Sequence, residues 1–122
     1  MNGIYDRKQF AKDLEKRTLD FGVRIIHLPL KLPNTTEGRV IKRQITGSGT
    51  SIGADYREAN RSRSKADFKN RIEICESEAS ETQYWMEIIL RLKWLSQEEM
   101  KADYDACVEL LAIFTSIGKK LR

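Results

Sequence analysis

The chain has 122 residues, of which 40% are hydrophobic and 33% are charged, and its formal net charge is +4. This length suits one domain with a single hydrophobic core, and the apolar content is too high for a disordered chain. The sequence has no run of about 18 apolar residues and no apolar segment near its start, which argues against a membrane span and an export signal. We therefore expect a cytoplasmic protein of bacterial type whose single domain spans residues 1–122.

The charge is distributed unevenly along the chain. Residues 1–63 contain 13 basic and 7 acidic side chains, a net charge of +6. Residues 64–122 contain 9 basic and 11 acidic side chains, a net charge of −2. Such asymmetry favours an acidic partner such as nucleic acid, but solvated lysines and arginines on helix surfaces would give the same pattern.

The first predicted helix covers about residues 6–28. Apolar side chains recur along it at intervals of three and four residues, which predicts one buried face. These side chains are Phe10, Leu14, Phe21, Ile25 and Leu28. Pro29 disfavours helical geometry in the residue before it, and Pro33 is expected to end the segment. Leu30 and Leu32 are expected to fold under the end of the domain.

The second predicted helix follows a loop at residues 33–36 and runs to about Arg63. Its apolar positions are Ile41, Ile45, Ile52, Tyr56 and Ala59. Glycines inside a helix are unusual, since each costs about 1 kcal/mol relative to alanine. Gly49 and Gly53 are four residues apart and share a face, so the close approach of another helix is one explanation. A kink near Gly47 is the other.

The third predicted helix begins after Ser64, with Asp67 in its first turn, and runs to about Leu95. Its apolar residues alternate at intervals of four and three, which is the seam typical of helical bundles. The seam consists of Phe68, Ile72, Cys75, Ala79, Thr82, Met86 and Ile89. Further apolar residues broaden this face, so burial on two sides is expected. They are Trp85, Ile88, Leu92 and Leu95.

A fourth helix is predicted from a capping box, in which Ser96 caps the helix and Glu99 reaches back, to about Lys120. Its apolar positions are Met100, Tyr104, Cys107, Val108, Leu111, Phe114 and Ile117. Because both cysteines fall at core positions, reduced and buried thiols are predicted rather than a disulfide. Four long amphipathic helices with short linkers predict an all-α fold, an antiparallel up-down four-helix bundle.

The sequence contains no pattern typical of a catalytic or metal site. His27 is the only histidine, and no Glu-x-x-His pair is present. The two cysteines lack the paired spacing of a zinc site. Residues 47–53 are rich in glycine and serine, but they lack the lysine and the strand-to-helix context of a phosphate-binding loop. We therefore expect a protein that is not an enzyme and has no cofactor and no bound metal.

A stripe of mostly short polar side chains runs along the second helix beside its apolar face. It consists of Gln44, Ser48, Ser51, Asp55, Glu58 and Ser62. Buried polar groups at these positions need hydrogen-bond partners. One interpretation is a polar network within the bundle or at a subunit contact, in which Asp55 and Glu58 pair with arginines. The others are a contact with a ligand or nucleic acid, and a hydrated helix surface.

Two groups of basic side chains are candidates for contacts with phosphates. The turn cluster lies around the junction of the second and third helices, with Arg71 beside it, and consists of Arg57, Arg61, Arg63, Lys65 and Lys69. The far cluster lies near the start of the second helix and consists of Arg39, Lys42 and Arg43. Tyr56 and Tyr84 are candidate stacking surfaces for bases. Solvated helices carry similar basic groups, so a surface without a ligand remains the alternative.

Several stretches of the sequence resemble a known family. They are Leu32-Pro33, Gln44, Thr50-Ser51-Ile52-Gly53-Ala54-Asp55-Tyr56-Arg57-Glu58-Ala59, Ser64-Lys65-Ala66-Asp67-Phe68 and Glu78-Ala79-Ser80-Glu81-Thr82-Gln83-Tyr84-Trp85. The chain resembles the 23S rRNA intervening-sequence protein family, also called four helix bundle proteins, over nearly its whole length. One departure is Asp55, where the family pattern usually has Asn, so a hydrogen-bonding side chain becomes a charged one.

This resemblance implies an up-down four-helix bundle that assembles as a homopentamer and has no established enzymatic activity. The chain is also similar in fold to the accessory variability protein of diversity-generating retroelements, a basic pentameric bundle that binds nucleic acid and a reverse transcriptase. We therefore expect a homo-oligomer that binds RNA or DNA, with RNA favoured, or a nucleoprotein partner such as a reverse transcriptase. The turn cluster and the far cluster are the expected binding residues. The alternative is a protein–protein scaffold without nucleic-acid contact; a membrane partner is not expected.

Overall fold

The computed structural model describes residues 6–122. It contains four α-helices, α1 (Arg7–His27), α2 (Thr36–Ala59), α3 (Lys65–Arg91) and α4 (Gln97–Lys120), and a short 3-10 helix, Leu28–Lys31, between α1 and α2. Each α-helix packs against its neighbour in the sequence, and α1 and α4 also touch. The predicted all-α bundle is confirmed. Within the described range, no helix is long and apolar enough to cross a membrane.

Each α-helix begins at a side chain that accepts a hydrogen bond from an otherwise free backbone amide. These caps are Asp6, Thr35, Ser64 and Ser96. At the start of α4, Ser96 Oγ accepts from the Glu99 amide at 3.0 Å, and Glu99 Oε1 accepts from the Ser96 amide at 3.0 Å. The predicted caps at Ser64 and Ser96 are therefore confirmed, and the helix starts are fixed by local sequence.

The second helix ends at Ala59 rather than at the predicted Arg63. The Arg61 amide donates to the Glu58 carbonyl at 3.0 Å, and the Ser62 amide donates to the Ala59 carbonyl at 3.0 Å. Such bonds span three residues and tighten the chain out of the α-helical path. The residues between α2 and α3 are therefore a turn, and Arg61 and Arg63 are not on a helix.

The third helix ends four residues before the predicted Leu95, through a Schellman motif. Lys93 has a φ of 58°, the left-handed conformation that glycine usually provides at this position. The Trp94 amide donates to the Ile89 carbonyl at 3.2 Å, and the Lys93 amide donates to the Leu90 carbonyl at 3.0 Å. This turn satisfies the last carbonyls of the helix and leaves Leu95 buried in the core.

The connection between α1 and α2 separates two leucines that were expected to behave alike. Leu32 is buried, as predicted, but Leu30 is 80% exposed, so the prediction for Leu30 is wrong. Side chains of a 3-10 helix are roughly 120° apart, because it has three residues per turn. The face that buries Leu28 and Pro29 therefore leaves Leu30 in solvent.

The core largely follows the predicted apolar faces, with one shift in α4. Leu110 is buried although it is absent from the predicted face, and Val108 is exposed. Val108 follows Cys107 by one residue, which is roughly 100° around an α-helix. Because Cys107 and Leu110 both point into the core, Val108 is turned toward solvent. At the start of α1, Phe10 is also exposed rather than buried.

Two glycines of α2 allow α1 to approach closely. A Cβ atom on Gly49 would lie 2.6 Å from Cγ2 of Ile25, and one on Gly53 would lie 3.2 Å from the backbone of Thr18. The helix α2 is continuous through Gly47. The close-approach explanation is therefore confirmed, and the helix is not interrupted at the glycines, where a kink was the competing explanation.

Both cysteines are fully buried free thiols, as predicted. Cys75 Sγ lies 3.8 Å from the Ile52 carbonyl oxygen, and Cys107 Sγ lies 3.4 Å from the Ala79 carbonyl oxygen. Burial raises the pKa of each thiol to about 12. Neither thiol therefore forms an appreciable amount of thiolate at neutral pH.

Candidate nucleic-acid interface

The turn cluster lies at one end of the bundle. Arg57 is in the last turn of α2, two arginines lie in the turn itself, and Lys65 and Lys69 are in the first turns of α3. Lys69 is half-buried and the others are exposed. Among residues 6–122, only Arg57 of this cluster has an ion pair, 4.0 Å from Glu15. The remaining cations are not neutralised by a described acidic neighbour.

The far cluster lies at the opposite end of α2. Its nearest member to the turn cluster, Arg43, is 14 residues before Arg57, which is roughly 21 Å along the helix axis. Lys42 is half-buried, and its Nζ atom lies 2.6 Å from Oδ1 of Asn34. The two basic clusters are therefore separate surfaces of the bundle rather than one continuous patch.

The predicted polar stripe occupies several environments. Ser48 is buried and its Oγ atom accepts a hydrogen bond from Thr82 Oγ1 at 2.8 Å. Ser51 is half-buried and donates to the Gly47 carbonyl of its own helix at 2.6 Å. Gln44 and Glu58 are exposed. The middle of the stripe faces α3, whereas these two side chains face solvent, so a continuous buried network is not formed.

A pair of carboxyl groups lies where the stripe meets α3. Asp55 lies within hydrogen-bonding reach of Glu78. Among the described residues neither Asp55 nor Glu58 forms the expected ion pair with an arginine, so that expectation is wrong. Two carboxyl groups can share a hydrogen bond only if one of them is protonated. Burial, followed by this hydrogen bond and the charge of Asp55, raises the pKa of Glu78 to about 8. Glu78 Oε1 is buried and has no hydrogen-bond partner among the described residues.

The two tyrosines that were candidate stacking surfaces differ in their placement. Tyr56 is 2% exposed, and its ring packs edge-on against Phe114 with centroids 5.5 Å apart. The prediction for Tyr56 is therefore wrong, because its side chain belongs to the core. Tyr84 is exposed, but it lies 15 residues beyond Lys69 on α3, roughly 23 Å along the axis. It is not part of the surface formed by the turn cluster.

The described residues contain no group of three or more His, Cys, Asp or Glu side chains that could hold a metal ion. His27 is exposed at the end of α1, where its Nδ1 atom lies 2.9 Å from the Val23 carbonyl oxygen.

An apolar stripe on the outward face of α1 was not recognised from the sequence. It consists of Leu19, Val23 and Ile26 on α1 and Leu30 on the 3-10 helix that follows, all at least half exposed. A groove of about 480 Å³ runs between this stripe and α2, with Arg57 and Glu58 at its edge. The sequence does contain a pattern that indicates this stripe. It is a second set of apolar residues at intervals of four, three and four, beside the set that forms the core.

Glu78 was also missed as a candidate residue. It lies three residues after Cys75 and one before Ala79, at the edge of the buried α3 seam. An acidic residue directly beside a buried seam could have indicated a candidate residue in the sequence, because a half-buried carboxyl group needs a partner.

Comparisons with known proteins agree with this architecture. Residues 12–116 match the family model described as 23S rRNA-intervening sequence protein. A solved structure from Bacteroides thetaiotaomicron VPI-5482, described as a protein with unknown function from the S23 ribosomal protein family, is 38% identical to this chain. The similarity covers 86% of this chain and 97% of that chain, with a TM-score of 0.79. No protein of curated function matches the chain.

Proposed function

This chain belongs to the 23S rRNA-intervening sequence protein family, and we propose that it is a non-enzymatic, homo-oligomeric four-helix bundle that binds nucleic acid, with RNA favoured over DNA. The observation that carries the proposal is the turn cluster, whose exposed cations have no described acidic partner apart from the Arg57–Glu15 pair. Unpaired cations can bind phosphates without first breaking an ion pair, and they release counterions from the nucleic acid when they do.

The far cluster would make a second contact. Because the two clusters are roughly 21 Å apart along α2, a nucleic acid would have to run along the helix to touch both. Arg39 and Arg43 are exposed, whereas Lys42 is held by Asn34. We therefore expect the far cluster to add less affinity than the turn cluster.

Homo-oligomerisation is proposed from the apolar stripe of α1. Monomeric proteins rarely expose large contiguous apolar patches, and such patches commonly mark protein–protein contacts. Leu19, Val23 and Ile26 are each 52–53% exposed and follow one another along the helix. A second copy of the chain that covered this stripe would remove it from water. The family resemblance favours five copies.

The test is the fluorescence anisotropy of labelled RNA and DNA titrated with the protein at several salt concentrations. We expect binding that weakens as salt rises, since phosphate contacts release counterions. The triple variant Arg61→Glu, Arg63→Glu and Lys65→Glu should lose binding and keep the helical circular dichroism of the parent, because all three side chains are exposed. Unchanged affinity in this variant would rule out the turn cluster as the site.

The alternative function is a protein–protein scaffold that does not touch nucleic acid. The apolar groove beside α1 favours it, because such a groove can also accept a helix of another protein, for example a reverse transcriptase. The absence of RNA and DNA binding at low salt would support this alternative.

A further inference from the structure

The end of the bundle that carries the turn cluster also receives the first turns of α1 and the last turns of α4. Asn60 Nδ2, just after α2, donates to Glu15 Oε2 of α1 at 2.8 Å. Arg17 Nη2 of α1 lies 3.0 Å from Glu109 Oε1 of α4. Since α1 and α4 are antiparallel, moving ten residues from this ion pair toward the same end reaches Arg7 on α1 and Lys119 on α4, each roughly 15 Å away.

This end, which we call the basic end, consists of residues 6–13, 60–71 and 115–122. It contains 11 basic and 3 acidic side chains, a net charge of +8. The whole chain carries only +4, so all other residues together carry −4. The basic residues that α1 and the segment 115–122 contribute are exposed, and none forms an ion pair within residues 6–122. They are Arg7, Lys8, Lys12, Lys119, Lys120 and Arg122.

The helix termini do not account for this charge. The basic end contains the starts of α1 and α3 and the end of α4, and α2 ends directly before it at Ala59. Helix starts carry partial positive charge and helix ends carry partial negative charge, so the four contributions oppose one another. The positive potential at this end therefore comes from side chains.

We propose that the nucleic-acid site is the whole basic end, with the α1 and α4 residues contacting phosphates together with the turn cluster. This inference rests on the proposed function and enlarges its site. The end of a bundle of four helices is roughly 20 Å across. A nucleic-acid strand presents one phosphate charge per roughly 3.4 Å, or about 6 over that length, and the basic end has enough basic side chains to contact each of them. Cations on all three segments of this end favour the sugar–phosphate backbone, recognised by charge rather than by base sequence.

The test compares salt slopes for labelled single-stranded RNA. The variant Lys119→Gln, Lys120→Gln and Arg122→Gln, called the α4 variant, removes two charges from the end of α4 and one from just after it. A matched control, Lys31→Gln, Arg91→Gln and Lys93→Gln, removes three exposed charges from the opposite end. Each lost phosphate contact should reduce the slope of log K against log salt by about 0.7, so the α4 variant should lose about 2 units of slope. The control should keep the parent slope.

The outcomes separate this inference from the proposed function. If the parent protein does not bind RNA even at low salt, both fail. A third variant combines Arg61→Gln, Arg63→Gln and Lys65→Gln in the turn cluster. If the parent binds RNA and only this third variant lowers the salt slope, the proposed function stands. The enlarged site is then wrong, because the α4 variant has kept the parent slope. Equal losses in the α4 variant and the opposite-end control would also overturn the inference, because the effect would then depend on total charge.

Discussion

The carboxyl groups of Asp55 on α2 and Glu78 on α3 approach each other across the interface between these helices, close enough to share a hydrogen bond. The bond needs a proton on one of the two groups. The charges that face Glu78 are those of Asp55 and Glu81, both acidic, and both raise its pKa. The contact between α2 and α3 is therefore linked to protonation, unlike the surrounding apolar core.

This pair predicts that stability falls as pH rises from about 5 to about 8. The pKa of Glu78 is raised to about 8 in the folded protein from an ordinary value of 4.5. Between these values the folded state binds more protons than the unfolded state, so the free energy of unfolding decreases with increasing pH. We expect Glu78→Gln to flatten this dependence and to stabilise the protein at pH 8 by about 1 kcal/mol, since solvent screens a half-buried group. Urea unfolding of the parent and the variant at a series of pH values measures the pH dependence and the difference in the free energy of unfolding at pH 8.

Two further variants control the pH experiment. Asp55→Asn places an amide opposite Glu78, which can donate to an ionised carboxylate, so it should also flatten the pH dependence. Glu81→Gln changes an exposed neighbour of the pair, so this variant should keep most of the parent's pH dependence of stability. If Glu78→Gln shows the same decline with pH as the parent, the shared proton is not present.

The contact between α1 and α2 predicts opposite effects for two glycine substitutions. Gly49→Ala would place a methyl group 2.6 Å from Ile25 Cγ2, whereas nothing lies within 4 Å of a Cβ on Gly47. We expect Gly49→Ala to destabilise the protein by about 1–3 kcal/mol through overpacking. Gly47→Ala should stabilise it by about 1 kcal/mol, because alanine is the better helix former. Thermal or urea unfolding measures the stability of the two variants relative to the parent. Equal changes in the free energy of unfolding would mean that α1 and α2 are not in such close contact.

The Schellman motif at the end of α3 predicts a stabilising substitution. Lys93 has a left-handed φ of 58°, which costs a residue with a Cβ atom energy that glycine does not lose. Lys93→Gly should raise the free energy of unfolding by about 1 kcal/mol. Lys93→Ala removes the same charge and keeps the strain, so it should give no comparable gain. Unfolding in urea measures both variants. A larger increase in the free energy of unfolding for Lys93→Ala than for Lys93→Gly would contradict the motif.

The apolar stripe of α1 predicts the position of the subunit contact. Val23→Glu introduces a charge at its centre and should shift the protein toward monomer in size-exclusion chromatography with light scattering. Val40→Glu changes another half-exposed valine, outside the stripe, and should leave the assembly unchanged. A parent protein that is monomeric at high concentration would remove the basis for this contact.

Sequence patterns located the four helices because each has a periodic apolar face and a local cap. Ser64 and Ser96 bond to amides three residues away, so short-range sequence determines where α3 and α4 begin. The helix ends were less predictable. Lys93 adopts a conformation that its residue type does not favour, and nothing in the sequence marks Asn60 as the C-cap of α2.

The candidate site was harder to predict because it depends on contacts between distant segments. The turn cluster is contiguous in sequence and was recognisable. Lys119 and Arg7 lie at the same end only because α1 and α4 are antiparallel and aligned, which the Arg17–Glu109 ion pair reflects. The partner of Asp55 was missed for the same reason, since Glu78 is 23 residues away in the chain.

The basic end carries a net charge of +8 and all other residues together carry −4, so positive charge is concentrated at one end of the molecule. A polyanion would therefore turn the protein end-first before the surfaces touch. Orientation during approach raises the association rate constant, and salt screens this long-range effect over about 10 Å. Capture of nucleic acid at low ionic strength would accordingly be fast, and added salt would slow it.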